Sequence, residues 1–465
     1  MGTKPTRVER DTMGPMEVPA EAYYGASTQR AVLNFPISGR PIPRAMVRAL
    51  GRIKWAAARA NVDLGLLDPS KGAAIAQAAR EVTDGRLDAE FVLDVFQTGS
   101  GTSSNMNANE VIANRAAELL GGGRGARELV HPNDHVNLGQ SSNDVIPTAL
   151  HLGAALAIRD ELLPGLAALH AALEAKSREF WDVIKTGRTH LQDATPIRLG
   201  QELSGYAAQV RRGQERAARA RDELAEVALG GTAVGTGVNT HPEFARRVCR
   251  ILAEDTGLPI RETTDHFQAQ ATLDTVLATA GALRVVAVGL LKIANDLRWL
   301  GSGPRTGLGE LALPEVQPGS SIMPGKVNPV IAESLIQVCG QVLGNDQALV
   351  QAAEWSFFEL NTMLPLAGRN LIESTELLGA ASRNFAEKCV SGMRATSRGP
   401  EMVERGLAIV TGLAPLVGYD KAAAIAKHAA ASGRTVREIA REETTLSDAD
   451  LDRALDPFRM TEPQP

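Results

Sequence analysis

Cysteine is scarce in this chain. Its 465 residues hold three, Cys249, Cys339 and Cys389, far apart and without a CxxC pair. An odd, scattered set argues against a disulfide framework and a zinc site. A reducing compartment fits best, so the cytoplasm is the expected location, with the three thiols as small buried hydrophobes. Neither sign of charge dominates: 49 Lys+Arg stand against 54 Asp+Glu, a net charge of -5. With no basic block, nucleic acid is not an expected partner. No uncharged apolar run reaches the ~18 residues of a membrane span, so no membrane partner is expected either. The opening MGTKPTRVERDTMG has no apolar core, so no signal peptide is expected there. Hairpin signals such as Asn-Gly between alternating apolar residues are nearly missing. No internal repeat and no low-complexity tract is present.

What remains is a globular composition, 44% hydrophobic and 22% charged. A chain of this length buries about 75% of the surface it exposes unfolded, so it needs no staple. Proline is absent from 197–241, 260–303, 330–364 and 366–399. These spans are rich in Ala, Leu, Glu and Arg, good helix formers. Leu273, Val276, Leu277, Ala280, Leu283, Ala287, Leu290, Leu291, Ala294 and Leu297 recur at three- and four-residue steps. The spacing predicts helices over about 147–175, 200–229, 273–297, 329–350 and 361–390. Pro164 is expected to kink or divide the first. Helices this long point to a bundle extended by oligomerisation. Three parts are expected: 1–138, mixed but mostly helical; 139–395, the long-helix bundle; and 396–465, small and helical.

The chemistry belongs in five polar, Gly-rich stretches: Gln97–Glu110, His131–Asp144, Thr186–Pro196, Leu229–Thr240 and Pro318–Pro329. Their hydroxyls, amides and backbone donors suit a small, oxygen-rich anion. PGSSIMPGKVNP (Pro318–Pro329) is the most specific. It is not a Walker A loop, since five residues separate Gly319 from Gly325 and Val327 follows the lysine. Asn328 is expected to cap the next helix and Pro329 to open it, which puts Lys326 near a helix N-terminus. Lysine is otherwise rare, ten against 39 arginines.

Ser320 and Ser321 lie in this loop. A serine is a poor base unless backbone N–H groups and a lysine stabilise its alkoxide. No GxSxG elbow accompanies it, which argues against a serine hydrolase. His190 is surrounded by Arg188, Thr189, Gln192 and Asp193. His131 and His135 have metal-like spacing, but Pro132 and Asn133 argue against a helix there, so no metal is expected. Glu333, early in a helix, also reads as a carboxylate at a positive helix end. Ser141, Ser142 and Asn143 also read as N-cap chemistry.

GSSIMPGKVNP closely resembles the signature of the fumarase/aspartase superfamily of lyases. TGSGTSSNMN, QSSND, GRTHLQDATP and GGTAVGTG follow in the order seen in class II fumarases. The start, RVERDTMGPMEVPAEAYYGASTQRAVLNFPISG, and the tail, VGYDKAAAIAKHAA, are also similar, so the resemblance covers nearly the whole chain. His190 and Gly325 are fumarase-like where aspartases usually carry Gln and Ala. His135, Leu138 and Gly139 depart from the fumarase pattern.

The resemblance implies a mainly α, three-domain fold whose long helices form a twenty-helix core in a homotetramer, with each active site shared by three chains. It implies reversible hydration of fumarate to L-malate, as in the tricarboxylic acid cycle, with no cofactor, by anti elimination through an aci-carboxylate. In it Ser320 removes the carbon proton, and His190, oriented by Glu333, handles the water; older accounts give His190 the base role. Ser100, Gly101, Thr102, Ser141, Ser142, Asn143, Thr189, Ser321, Lys326, Val327 and Asn328 bind the dicarboxylate substrate. His131, Pro132, Asn133 and Asp134 resemble a second, non-catalytic anion site. The alternatives are an aspartate ammonia-lyase and a retired lyase kept as a structural protein.

Overall fold

The computed structural model describes residues 5–463. Helix makes up 61% of the chain, and among the described residues the strands form only two-stranded sheets. The mainly α expectation therefore holds. Two compact units are built, one from 1–164, 215–287 and 340–379, the other from 165–214, 288–339 and 380–465.

The first unit opens with an antiparallel hairpin, β1 (Thr6–Asp11) and β2 (Gly14–Pro19). Helices α1 (Ala26–Asn34), α2 (Arg44–Asp63), α3 (Pro69–Thr83), α4 (Thr102–Leu119) and α5 (Ser142–Ala157) follow. Met46, Val47, Leu50, Ile53, Ala57 and Ala60 bury one face of α2, which packs on α3 and α5. Asp68 caps α3 by accepting from the Ser70 and Lys71 N–H groups, with Pro69 at the first position. The N-cap of α1 is Gly25, which has no side chain to offer. Glu110 of α4 supplies the missing acceptor. It takes hydrogen bonds from the N–H groups of Gly25 at 2.9 Å, Ser27 at 2.9 Å and Thr28 at 3.1 Å.

The helices that follow are α6 (Leu163–Glu179), α7 (Leu199–Glu223), α8 (Phe244–Thr256), the short α9 (His266–Ala271), α10 (Asp274–Leu300), α11 (Val330–Ala353) and α12 (Leu364–Phe385). Several differ from expectation in detail. Helix α5 begins at Ser142, so Pro147 lies in its second turn, where it costs one backbone bond. The division expected at Pro164 is a π-helical turn, Ile158–Leu162, joining α5 to α6. Helix α7 stops at Glu223, because Glu226–Val227 pairs with Arg261–Glu262 as a short parallel ladder. Helix α10 is long and apolar enough to cross a membrane by length and composition, and half of its most apolar window is buried. A charge-free run of that length is absent from it. Arg284 and Lys292 interrupt it and reach solvent with side chains 49% and 53% exposed.

The second unit holds the hairpin β3 (Ile184–Thr189) and β4 (Gln192–Arg198). Toward the C-terminus, Ile409, Leu413, Ile425, Ile439, Leu451 and Leu455 make a core of their own. All three cysteines are buried and free, and burial pushes each thiol up to about 12.

Candidate active site

Three of the five polar stretches meet in the first unit. The Gln97–Glu110 stretch is mostly helix, since α4 starts at Thr102 after Gly101 in a left-handed conformation, φ 72°. Its asparagines turn inward and find partners there, which the sequence reading as a connecting loop missed. Ser100 Oγ and Thr102 Oγ1 lie 2.8 Å apart. Asn105, 1% exposed, donates to Ser142 Oγ at 3.0 Å and to Asn137 Oδ1 at 3.2 Å. Asn143 donates to the Ala233 carbonyl at 2.8 Å, which draws in the Leu229–Thr240 stretch.

Ser141 caps α5 in a reciprocal pair with Asp144. The N-cap role weighed for this trio therefore falls on Ser141. Ser142 and Asn143 instead reach neighbouring segments. Asp144 is fully buried and also accepts from the Gly230 and Thr232 N–H groups at 3.0 and 2.9 Å. Burial raises its carboxyl to about 6, against those backbone bonds and the Lys54 charge. Lys54 itself is pushed down to about 7 by burial, with Asp144 opposing.

A helix was not expected at Pro132 and Asn133, yet Pro132–Val136 forms a π-helical turn. Proline is tolerated because the first N–H groups of such a turn have no internal partner. His131 caps the turn through Nδ1, which accepts from the N–H groups of Asn133 at 3.3 Å and Asp134 at 3.2 Å. His135 Nδ1 accepts from the His131 N–H at 2.8 Å. Its Nε2 therefore carries the proton and faces Lys71 Nζ at 3.5 Å. Burial and the Lys71 charge hold the His135 pKa below its ordinary value.

The second unit carries the other two stretches. His190 and Leu191 form the two-residue turn between β3 and β4, with φ 58° and 60°. Two left-handed residues make a type I′ turn, normally an Asn-Gly position. Strain of this kind at non-glycine residues often marks a functional site. His190 and Thr189 are exposed at the hairpin tip. Behind it, Arg188 donates to Glu310 at 2.6 Å, and Lys185 pairs with Glu202 at 3.0 Å and Glu310 at 3.2 Å.

In the Pro318–Pro329 loop, Ser320 Oγ accepts from the N–H groups of Met323 at 2.9 Å and Ile322 at 3.3 Å. Such bonds occur in ordinary serine turns, and they also stabilise negative charge on the oxygen. Asn328 does not cap the helix; its side-chain amide closes the loop onto the Gly319 carbonyl. Ser321, Lys326 and Val327 are exposed. Helix α11 is assigned from Val330, and the Pro329 carbonyl accepts its first bond, from the Glu333 N–H at 3.1 Å.

The chain thus brings Ser100, Gly101, Thr102, Ser142 and Asn143 together in one unit. Thr189, His190, Ser320, Ser321, Lys326, Val327, Asn328 and Glu333 belong to the other. His190 makes no hydrogen bond to Glu333 among the described residues. Lys54, Asn105, Asn137 and Glu310 were not singled out by sequence. Only the rarity of lysine could have drawn attention to the first.

The family model for lyases matches residues 14–344, and one for the fumarase C C-terminus matches 409–462. A class II fumarate hydratase of Chromobacterium violaceum is 54% identical over 459 residues, 98% of this chain and 100% of that one. One from Halobacterium salinarum is 55% identical over 456 residues, 98% of this chain and 97% of that one. The crystal structure of a class II fumarase from Schistosoma mansoni aligns with a TM-score of 0.96 at 41% identity, covering 98% of this chain and 99% of that one. The fold and its polar loops are those of the fumarase-type lyases. Within them, the chain belongs to the class II fumarate hydratase family.

Proposed function

We propose that the protein catalyses reversible hydration of fumarate to L-malate, without a cofactor, in the cytoplasm as part of the tricarboxylic acid cycle. Malate dehydration removes a proton from a very weak carbon acid and expels hydroxide from the next carbon. The carboxylate beside the carbanion must accept a second charge, as an aci form. Ser320 takes the carbon proton, and Lys326 and Asn328 stabilise the aci-carboxylate. His190 supplies the proton that leaves with the hydroxyl as water, oriented by a Glu333 that a neighbouring chain would bring to it. Ser100, Gly101, Thr102, Ser141, Ser142, Asn143, Thr189, Ser321 and Val327 line the dicarboxylate site. The observation that carries this reading is the pair of N–H groups donated to Ser320 Oγ, since fixed donors favour negative charge on that oxygen. His131–Asp134 would hold a second anion without taking part in chemistry.

We also infer a homotetramer in which neighbouring chains complete each site. Exposed Val285, Val288 and Trp299 along α10 support it. The three-part division at 138 and 395 is kept as part of this reading, supported by the separate core after residue 407. An active monomer in light scattering would overturn the shared site.

The deciding experiment is ultraviolet absorbance of the purified protein with L-malate, in buffer containing a chelator. Rising absorbance from the fumarate double bond is expected. A flat trace with L-malate and a rise with L-aspartate would instead establish an ammonia-lyase, which the names of the relatives above do not favour.

A further inference from the structure

Lys54 lies in the middle of α2 with 0% of its surface exposed. A buried ammonium persists only where acceptors replace its water. Its acceptors are Asn137 Oδ1 at 2.8 Å and Gln140 Oε1 at 2.9 Å. Both amide oxygens face Lys54 Nζ and accept from it. The amide nitrogens then point away, Asn137 Nδ2 to the Gln140 carbonyl at 3.1 Å and Gln140 Nε2 to the Val136 carbonyl at 3.1 Å.

That orientation propagates. Asn137 Oδ1, already facing Lys54, can only accept from Asn105, so the nitrogen of Asn105 must face it. The second hydrogen of the same nitrogen goes to Ser142 Oγ at 3.0 Å. Ser142 therefore receives a hydrogen bond from the protein and has its own hydrogen left to give. Asn105 meanwhile keeps its side-chain oxygen buried with no partner. Turning Asn105 over would pair that oxygen with the Ser142 hydroxyl, and Ser142 would then offer only lone pairs outward.

We propose that Lys54 is a positioning residue for substrate binding: through Asn137 and Asn105 it fixes the Ser142 hydroxyl as a hydrogen-bond donor toward a substrate carboxylate. This rests on the reading of Ser142 as a substrate-binding residue. A serine locked as donor recognises a carboxylate, which only accepts. A serine locked as acceptor repels it.

The test is a kinetic double-mutant cycle on the full-length protein, with L-malate as the varied substrate. Lys54→Met keeps the length and removes the donors. It is expected to raise KM at least ~10-fold with a smaller change in kcat. In the Ser142→Ala background the same substitution should change KM less than ~2-fold, because the hydroxyl to be oriented is gone. An equal factor in both backgrounds would make Lys54 a structural residue only and overturn the proposal. An unchanged KM for Ser142→Ala alone would overturn the reading of Ser142, and the relay with it. If Lys54→Met does not fold, Asn105→Leu breaks the relay one step nearer the serine and must show the same coupling to Ser142.

Discussion

Asn328 donates its side-chain amide to the carbonyl of Gly319, 2.5 Å away and nine residues earlier in the chain. The bond ties the two ends of the loop that carries Ser320, Ser321 and Lys326. It also explains why position 319 is glycine. A Cβ there would stand 2.3 Å from the Lys326 carbonyl oxygen and 2.7 Å from the Asn328 nitrogen.

Gly319→Ala must therefore open the loop. Turnover is expected to fall at least ~10²-fold, because a small displacement of reacting groups is that costly. The loop tip is exposed, with Ile322 at 83%, so thermal stability should hardly move. Calorimetry and steady-state kinetics on the same preparation check both halves. Normal turnover would mean that closure is not needed.

Ser320→Ala removes the oxygen that Ile322 and Met323 hold. A loss of at least ~10³-fold in kcat is expected, as for a catalytic group. Near-normal turnover would take the base role away from Ser320.

His190→Asn separates turn geometry from chemistry. Asparagine tolerates the left-handed conformation that His190 adopts at φ 58°. The hairpin should survive with its melting temperature unchanged, while most activity is lost. A variant that keeps its activity would show that the imidazole has no chemical part.

Glu110→Ala tests the borrowed cap of α1. Three backbone N–H groups and the Thr28 hydroxyl lose their acceptor together. A destabilisation of about 3 kcal/mol is expected, read as a lower urea midpoint at constant slope. A destabilisation below about 0.5 kcal/mol, within the range of ordinary surface substitutions, would mean that water replaces the carboxylate there.

His151 is a pH probe. It is half-buried against the Glu226 carbonyl, and its desolvation holds its pKa below the ordinary 6.5. As pH falls below 6.5, the unfolded chain takes up a proton that the folded chain resists. Stability from this group is therefore complete above pH 6.5 and is lost as pH falls toward the depressed folded value. The difference in unfolding free energy between wild type and His151→Asn should shrink as pH falls from 7.5 to 5.5. A constant difference would show that His151 does not titrate differently in the two states.

Helices and polar loops were legible because their signals are local. Proline-free spans located α7, α10, α11 and α12, and PGSSIMPGKVNP marked the loop that holds Ser320. The hairpin β3–β4 was not legible. Its turn, His190-Leu191, uses residues that sequence rules do not assign to left-handed positions, and it stands because the strands around it impose it. The asparagine-rich start of α4 misled for a related reason. Asn105 and Asn107 are poor helix formers in water, yet their side-chain N–H groups find buried acceptors.

The amino-acid sequence by itself determined the lyase family, the mainly helical fold and the residue types available for chemistry, because these follow from periodicity and short motifs. Only the tertiary structure decided which of those groups are oriented. It placed Lys54 beneath Asn137 and Gln140, more than eighty residues away along the chain. It also turned Asn105 so that Ser142 keeps its proton to donate. No local signal encodes such pairings. They exist because an ammonium and several amides, once buried together, must satisfy one another's hydrogen bonds.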